Sequence, residues 1–359
     1  MRPVTKIILG VFFFALLIFT AITMQWLEFA RKPLPVPPEG VLIDYYPGDS
    51  VSHFAKKMER EKLIKHAWFY VLLARMEGAD RHLVAGQYRI MPNTTPPMLL
   101  EKMIKGDVVQ HLFRIGEGWT VNQVIQMVNQ NNDFKHSEPL PTADSIKASL
   151  GLNEVSLEGW LYPDTYFLPI NAEEMNLFKR AYAKMQHILQ EEWDARAPNL
   201  LYKTPEEALI MASIIEKETG VPDERSKVAG VFLRRLQKNM LLQADPTIIY
   251  GLQDKYQGKL TKENLTTPTP YNTYTQLGLP PTPICIPSRA SIHAALHPDD
   301  SDNLYFVAKG DGKHVFNSNL TDHNAAVKKY QLQNNNNTTN NNAPASVPAS
   351  APAPVNKGN

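Results

Sequence analysis

Cysteine is almost missing from this chain: Cys285 is the only one in 359 residues, which rules out an intramolecular disulfide framework and a cysteine-rich metal site. Excess charge of either sign is lacking as well. Lys and Arg number 37 against 36 Asp and Glu, and the resulting net charge of +1 makes no electrostatic case for a nucleic-acid partner. The short signatures of several enzyme classes are also absent. There is no H-E-x-x-H, no G-x-S-x-G elbow and no P-loop, and the histidines do not read as having the close helical spacing of a zinc site. Neither a cofactor nor a bound metal is expected. Cys285 itself stands between Ile284 and Ile286, which suggests apolar packing rather than a nucleophile.

One further absence is informative. From Ile7 to Leu27 there is no charged residue, and this apolar run has the length needed to cross a hydrocarbon core as a helix. Arg2 and Lys6 precede it, as expected of a short cytoplasmic head over residues 1–6, and Trp26 sits where an interfacial aromatic belongs. Arg31 and Lys32 just beyond the run weaken the charge bias. A cleaved signal peptide is the alternative, but Ala21 and Thr23 make only a weak cleavage site, so a retained anchor over 7–27 is expected with everything after it exported. At the other end, residues 331–359 are rich in Asn, Pro and Ala, have no apolar periodicity and read as a disordered tail.

Between these ends the pattern predicts an α+β chain. Residues 28–40 form a stalk, Pro-rich from Pro33 to Gly40. VLIDYY reads as a strand, Ser50 as a helix cap, Val51–Glu61 and His66–Arg75 as two helices, and Gln87–Ile90 as a second strand. This βααβ order, within a module spanning 41–106, resembles a LysM-like glycan-binding unit; a plain spacer domain is the alternative. A helix near Met98–Ile104 stops at Gly106. A connecting region, 107–156, then holds the strand VVQHLFRI and a helix capped by Thr120. A larger α+β domain is expected over 157–330. It opens on LEGWLYPDTYFLP, whose Trp160, Tyr162, Tyr166 and Phe167 suit either sugar stacking or a core, while Glu158 and Asp164 could meet a ligand or cap a turn.

The chemistry is expected on the helix that follows Thr204. That threonine, Pro205 and Glu207 form a start signal with a capping box, and Gly220 with Pro222 forms a stop. At about 100° per residue, Ala208, Met211, Ala212 and Ile215 share one face, with Glu218 on its rim and Glu216 on the other flank. Partial burial and the negative end of the helix dipole would both keep Glu218 protonated, as protonation of a glycosidic oxygen requires. An ion pair with a nearby Arg or Lys is the plainer reading of the same residue. A second helix, roughly Glu224–Gln237, leaves Arg234 and Arg235 on another side. LLQADPTIIYG places Gln243 and Asp245 ahead of Pro246 in an expected loop. TPTPYNTYTQLGLPPTPICIPS offers hydroxyls, an amide and ring faces on a stiff backbone, suited to a carbohydrate groove. A hairpin, Leu304–Ala308 with His314–Phe316, precedes a helix that has Asp322 near its start.

Taken together, EGWLYPDTY, MASIIEKET, ERSKVAGVFLRRL, LQADPTIIYG, TPTPYNTYTQLGLPP and YFVAKGDGKHVFNSNLTDHN resemble the YceG-like family of endolytic murein transglycosylases over most of residues 40–330. The resemblance implies a single-pass inner-membrane protein with a LysM-like subdomain. It implies cleavage of the MurNAc-β-1,4-GlcNAc bond within peptidoglycan glycan strands, 1,6-anhydro-MurNAc ends, and peptidoglycan synthases (penicillin-binding proteins) as partners. It makes Glu218 the catalytic acid. Gln243, Asp245, Tyr271, Asn272, Tyr274, His314 and Asn317 are the expected substrate-binding residues. Thr282, Cys285 and Ser288 depart from the family pattern and bear on one cleft wall. A hydrolytic muramidase and a non-catalytic peptidoglycan-binding scaffold are the alternatives.

Overall fold

The computed structural model describes residues 3–79, 82–152 and 156–332, so the expected tail falls almost wholly outside the described residues. In chain order the elements begin α1 (Pro3–Arg31), β1 (Val41–Tyr45), α2 (Val51–Arg60), α3 (Ala67–Met76), β2 (Gly86–Ile90), α4 (Pro96–Lys105), β3 (Gln110–Arg114) and α5 (Val121–Asn129). They continue β4 (Phe134–Lys135), α6 (Ala143–Leu150), β5 (Thr165–Pro169), β6 (Ala172–Glu173), α7 (Glu174–Asp194), α8 (Pro205–Glu218), α9 (Arg225–Gln237) and α10 (Asp245–Leu252). The last are α11 (Lys262–Thr266), α12 (Arg289–Leu296), β7 (Tyr305–Ala308), β8 (His314–Asn317) and α13 (Leu320–Val327). The fold class is α+β. Two compact units emerge: residues 1–112 with 133–135 and 167–172, and residues 113–132 with 136–166 and everything from 173 on. The region 107–156 is divided between them.

In the first unit, α1 carries an apolar stretch, Gly10–Arg31, that is long enough to cross a membrane and is exposed over most of its length. At 1.5 Å per residue it spans about 33 Å, the thickness of a hydrocarbon core. The expected strand, helix, helix, strand order follows. Ser50 caps α2 by accepting the His53 N–H at 3.1 Å, and β1 and β2 pair antiparallel from Val41 opposite Ile90 to Tyr45 opposite Gly86. Phe54, Met58, Tyr70, Tyr88 and Met103 form a closed core. The proline-rich stretch runs along this core instead of away from it. Leu34 is buried within it, the Leu34 N–H bonds to the Thr94 carbonyl at 2.8 Å, and Trp26 and Phe29 of α1 pack on the same core. Gly106 ends α4 in the left-handed region at φ 67°, where a Cβ would be strained.

The second unit is built around α8. Every residue from Ala208 to Ile215 is buried, because α7, α9, α10 and α12 all pack on this helix. An amphipathic wheel therefore does not describe it. A stretch that is apolar nearly all round belongs to a core, and from Ala208 to Ile215 no face is left for solvent. Its start is the expected one. Thr204 accepts the Glu207 N–H at 3.3 Å, but the Glu207 carboxylate reaches the Lys203 N–H at 2.6 Å, so the box closes one residue early. Thr120 caps α5 with a complete capping box. The helices α7 and α12 supply much of the packing around α8.

Ser213 is the one polar residue inside the buried run of α8. Its Oγ donates to the Ile210 carbonyl at 2.7 Å and accepts the Ile284 N–H at 2.9 Å, which fastens the proline-rich loop to the helix. Ser213→Ala leaves that buried N–H without a partner, and the expected cost is about 1–3 kcal/mol. Met98 is an exposed residue of α4, and Met98→Ala should change stability by less than about 0.5 kcal/mol. Urea denaturation of both variants measures the contrast. Equal midpoints would show that the loop is not held through Ser213.

Candidate active site

Glu218 is the last residue of α8. Thr219 leaves the helix in an extended conformation at φ −142°, and its hydroxyl accepts the Val221 N–H at 3.1 Å, so the chain turns sharply just after the carboxylate. Glu218 keeps some surface exposure as a residue, yet protein surrounds its carboxyl group. Burial pushes its pKa up to about 8, the nearby charge of Asp245 adds to the rise, and Arg235 opposes it. Two of the three causes of perturbation thus act in one direction, desolvation and a like charge. Among the described residues no hydrogen bond or ion pair holds the Glu218 side chain.

Asp245 is the first residue of α10, not part of a loop as expected from the proline that follows it; Pro246 occupies the first turn, where a missing N–H does no harm. Asp245 is buried, and the Tyr274 hydroxyl donates to its Oδ1 at 2.6 Å. Burial and the Asp245 charge raise the Tyr274 pKa, so the phenol keeps its proton and the carboxylate keeps its donor. Arg235 corrects a second expectation. It does not face away: it is buried, donates from Nε to the Leu304 carbonyl and from Nη1 to the Leu242 carbonyl, both at 2.8 Å, and lies over the Tyr305 ring at 5.3 Å. Its pKa is lowered by that burial, with Glu218, Tyr274 and Tyr305 acting against the shift. The result is a compact electrostatic group of Glu218, Asp245, Tyr274 and Arg235, in which one carboxyl has a raised pKa and the other is held by a phenol.

The remaining expected residues play distinct parts. The Gln243 backbone stands at φ 54°, its N–H bonds to the Thr273 carbonyl at 3.0 Å, and its side-chain carbonyl lies 3.5 Å from Arg235 Nη1. Asn272 is fully buried. Its amide nitrogen donates to the carbonyls of Asn264, Leu265 and Thr267 at 2.7 to 3.2 Å, while its side-chain oxygen accepts the Tyr274 N–H at 2.9 Å, so it shapes the loop that presents Tyr274. Tyr271 bonds through its hydroxyl to Thr282 at 2.9 Å and meets Tyr250 edge to face at 5.0 Å. His314 is taken up by Glu224, which accepts from its ring at 2.7 Å and from its backbone N–H at 2.9 Å. Asn317 pairs with Tyr305 across the β7–β8 hairpin, and its buried amide nitrogen has no hydrogen-bond partner among the described residues. No hydrogen bond or ion pair joins His314 or Asn317 to Glu218 among the described residues.

Glu216, two residues away, differs from Glu218 for a reason that the wheel did not reveal. Its Oε2 accepts from the Ser288 N–H at 3.0 Å and from the Ser288 and Ser291 hydroxyls at 2.6 Å each, which anchors the start of α12 to α8. Two of the positions that depart from the family pattern thus have structural work: Ser288 caps α12 and Thr282 holds Tyr271. Cys285 is fully buried, its thiol 3.3 Å from the Ser213 carbonyl, and burial raises its pKa well above the usual thiol value, which makes it inert. Glu158 was named only among several options. It is buried, accepts the Val121 N–H at 3.0 Å and the Tyr250 hydroxyl at 3.2 Å, and burial raises its pKa to about 7. The reading of the histidines also needs correction. His293 and His297 are four residues apart at the end of α12, and with Glu192 they bring three ligand atoms within 4.8 Å of one another. The Glu192 carboxylate there is already engaged by Arg289 at 2.6 Å and His293 at 2.8 Å.

Comparison with known proteins adds four findings. The pattern of the YceG-like family matches residues 43–329. The chain is 30% identical over 303 residues to the endolytic murein transglycosylase of Bacillus subtilis, covering 79% of this chain and 82% of that protein. It is 29% identical to the protein of the same description from Streptococcus pneumoniae, there spanning 57% of the relative's length. A crystal structure of a yceG-like protein from Listeria monocytogenes superposes with a TM-score of 0.53 at 29% identity, covering 80% of this chain and 99% of that one.

The raised Glu218 pKa has a consequence for stability. A carboxyl whose folded-state pKa, about 8, exceeds its unfolded value of 4.5 makes the folded state bind the extra proton, so stability falls as pH rises between those values and levels off above about 8. Glu158 contributes in the same direction up to about pH 7. Glu218→Gln should remove up to about 1.4 kcal/mol of decline per pH unit, most visibly between pH 7 and 8, where Glu158 no longer contributes. Denaturant midpoints of wild type and variant across pH 5 to 9 test this. Parallel curves would show that the Glu218 carboxyl is not buried in solution.

Proposed function

The chain belongs to the YceG-like family, and from that premise we propose that it is an endolytic lytic transglycosylase of peptidoglycan, with Glu218 as its single acid/base. The reading is carried by one observation: a carboxyl at the end of a buried helix, with no hydrogen bond among the described residues and a pKa pushed up to about 8 by burial, beside a second carboxylate that is held by a tyrosine. The proposed substrate is the glycan strand, and the proposed bond is MurNAc-β-1,4-GlcNAc. Glu218 gives its proton to the glycosidic oxygen as the bond from MurNAc C1 breaks, and the pair of electrons leaves with that oxygen. The Glu218 carboxylate so formed takes the proton of the MurNAc C6 hydroxyl while O6 closes on C1. The product end is 1,6-anhydro-MurNAc, no water is consumed, and the enzyme's proton is restored.

The surrounding residues have matching roles in this scheme. Arg235 stabilises the Glu218 carboxylate in the moment between the two proton transfers. Asp245, kept in place by Tyr274, lends negative charge to the oxocarbenium-like transition state. One residue acting first as acid and then as base removes the need for a second carboxylate placed to activate water. Tyr271 and Gln243 flank this group as proposed sugar contacts, Asn272 positions Tyr274, and His314 and Asn317 are proposed to meet the strand farther along. The βααβ module is proposed to contact glycan in the manner of a LysM unit. The apolar α1 is proposed as a single-pass anchor with its N-terminus inside, placing both units on the outer face of the cytoplasmic membrane, where nascent strands and penicillin-binding synthases are found.

Two isosteric variants and an analysis of product masses test the assignment. Folded Glu218→Gln should lose at least about 10² to 10⁴ in turnover, as expected for removal of a general acid. Glu216→Gln should lose about 1–3 kcal/mol of stability through its bonds to Ser288 and Ser291, while retaining turnover per folded molecule. Purified strands should yield anhydro ends. Reducing ends would mean a muramidase that uses water, and no cleavage by a folded wild type would mean a scaffold; either outcome overturns the proposal, as would an active Glu218→Gln.

A further inference from the structure

The first unit holds a cavity that the reaction does not use. It lies between the end of α1 and the βααβ core, lined among others by Glu28, Phe29, Lys32, Lys62, Lys65 and Phe69. Its floor is apolar. Phe29 stacks on Phe69 with ring centroids 5.4 Å apart, and Leu34, Leu63 and Ile64 are buried beneath. Its rim is basic, with three lysines against a single glutamate. Glu28 reaches Lys32 and Lys65 at 3.3 Å each, and Lys62 makes no ion pair among the described residues. All three lysines are exposed.

We propose that this cavity holds the phosphate of an anionic glycerophospholipid drawn from the outer leaflet, with the glycerol and upper acyl chains lying on the Phe29 and Phe69 floor. This rests on the reading of α1 as the membrane anchor. The apolar stretch ends at Arg31, so Glu28, Phe29 and Lys32 stand within one turn of the point where the helix leaves hydrocarbon, at headgroup level. Only an amphiphile uses both halves of such a site. A soluble anion would leave the aromatic floor empty, and a neutral lipid would leave the excess lysine charge unanswered. The proposal also accounts for basic residues on the exported side of an anchor, where lysine and arginine are ordinarily scarce. In this site they meet a phosphate.

The test uses the full chain in detergent micelles offered phosphatidylglycerol and phosphatidylcholine in equal amounts, with bound lipid read by native mass spectrometry. The wild type should retain phosphatidylglycerol over phosphatidylcholine by about five- to tenfold, on the scale of a lysine near an anionic surface. Lys62→Gln combined with Lys65→Gln should bring the ratio near one. These exposed side chains can change without disturbing the core, and the transglycosylase activity of the variant on soluble strands should match wild type. Equal retention of the two lipids by wild type, or an unchanged preference in the double variant, would overturn the site. Flotation with phosphatidylcholine vesicles separates the underlying premise. Wild type and variant should both float, because α1 is untouched, and failure of both to float would overturn the anchor and the site with it.

Discussion

A carboxyl group taken out of water holds its proton to higher pH, and the second unit does this to Glu218 by burying the helix that carries it. Four helices pack around α8, leaving Glu218 at its end among protein atoms with only part of the residue exposed. The energetic logic is economical in residues. Desolvation supplies the main effect, Asp245 supplies a like charge, and the negative end of a helix dipole falls at the same position. Arg235 opposes the rise.

The polar residues of the unit then serve the loops. Ser213 and Glu216 face different neighbours from one helix and hold successive parts of the segment from Ile284 to Ser291. Asn272 and Thr273 do the same for the segment that presents Tyr274. Thr273 accepts the Ala244 N–H at 3.0 Å and shares a hydrogen bond with Thr247 at 2.9 Å. Irregular backbone rich in proline cannot form a ladder of its own, so its buried N–H groups need partners from side chains. That explains why the chain carries so many short hydroxyl and amide residues exactly where it lacks regular structure.

Much of this architecture was legible where the signal is local. The caps at Ser50, Thr120 and Thr204, the stop at Gly106, the βααβ order and the β7–β8 hairpin follow from residue types at fixed offsets, and so does the long apolar helix. What stayed hidden depends on residues distant in sequence. The helix α7 lacks a capping side chain, and the Ser288 cap of α12 is itself held by Glu216, which lies over seventy residues earlier. Asp245 reads as a loop residue until Pro246 is recognised as a first-turn helix residue. Arg235 reads as a surface cation because its partners are carbonyls, which leave no mark on a pattern of side chains. Glu218 was favoured over Glu216 by a wheel that does not apply to a helix buried on every side. What separates the two in the structure is a pair of serines that holds Glu216, not helical phase.

The packed stalk has a mechanical meaning. A flexible tether isolates what it carries from the motions of its attachment point, whereas a segment pinned through Leu34, with Trp26 and Phe29 seated on the same core, behaves as a lever arm. Spanning helices adjust their tilt to the thickness of the bilayer around them. With no slack between α1 and the βααβ core, such a change in tilt would be passed on as a rotation of the whole module, making its orientation a function of the local lipid.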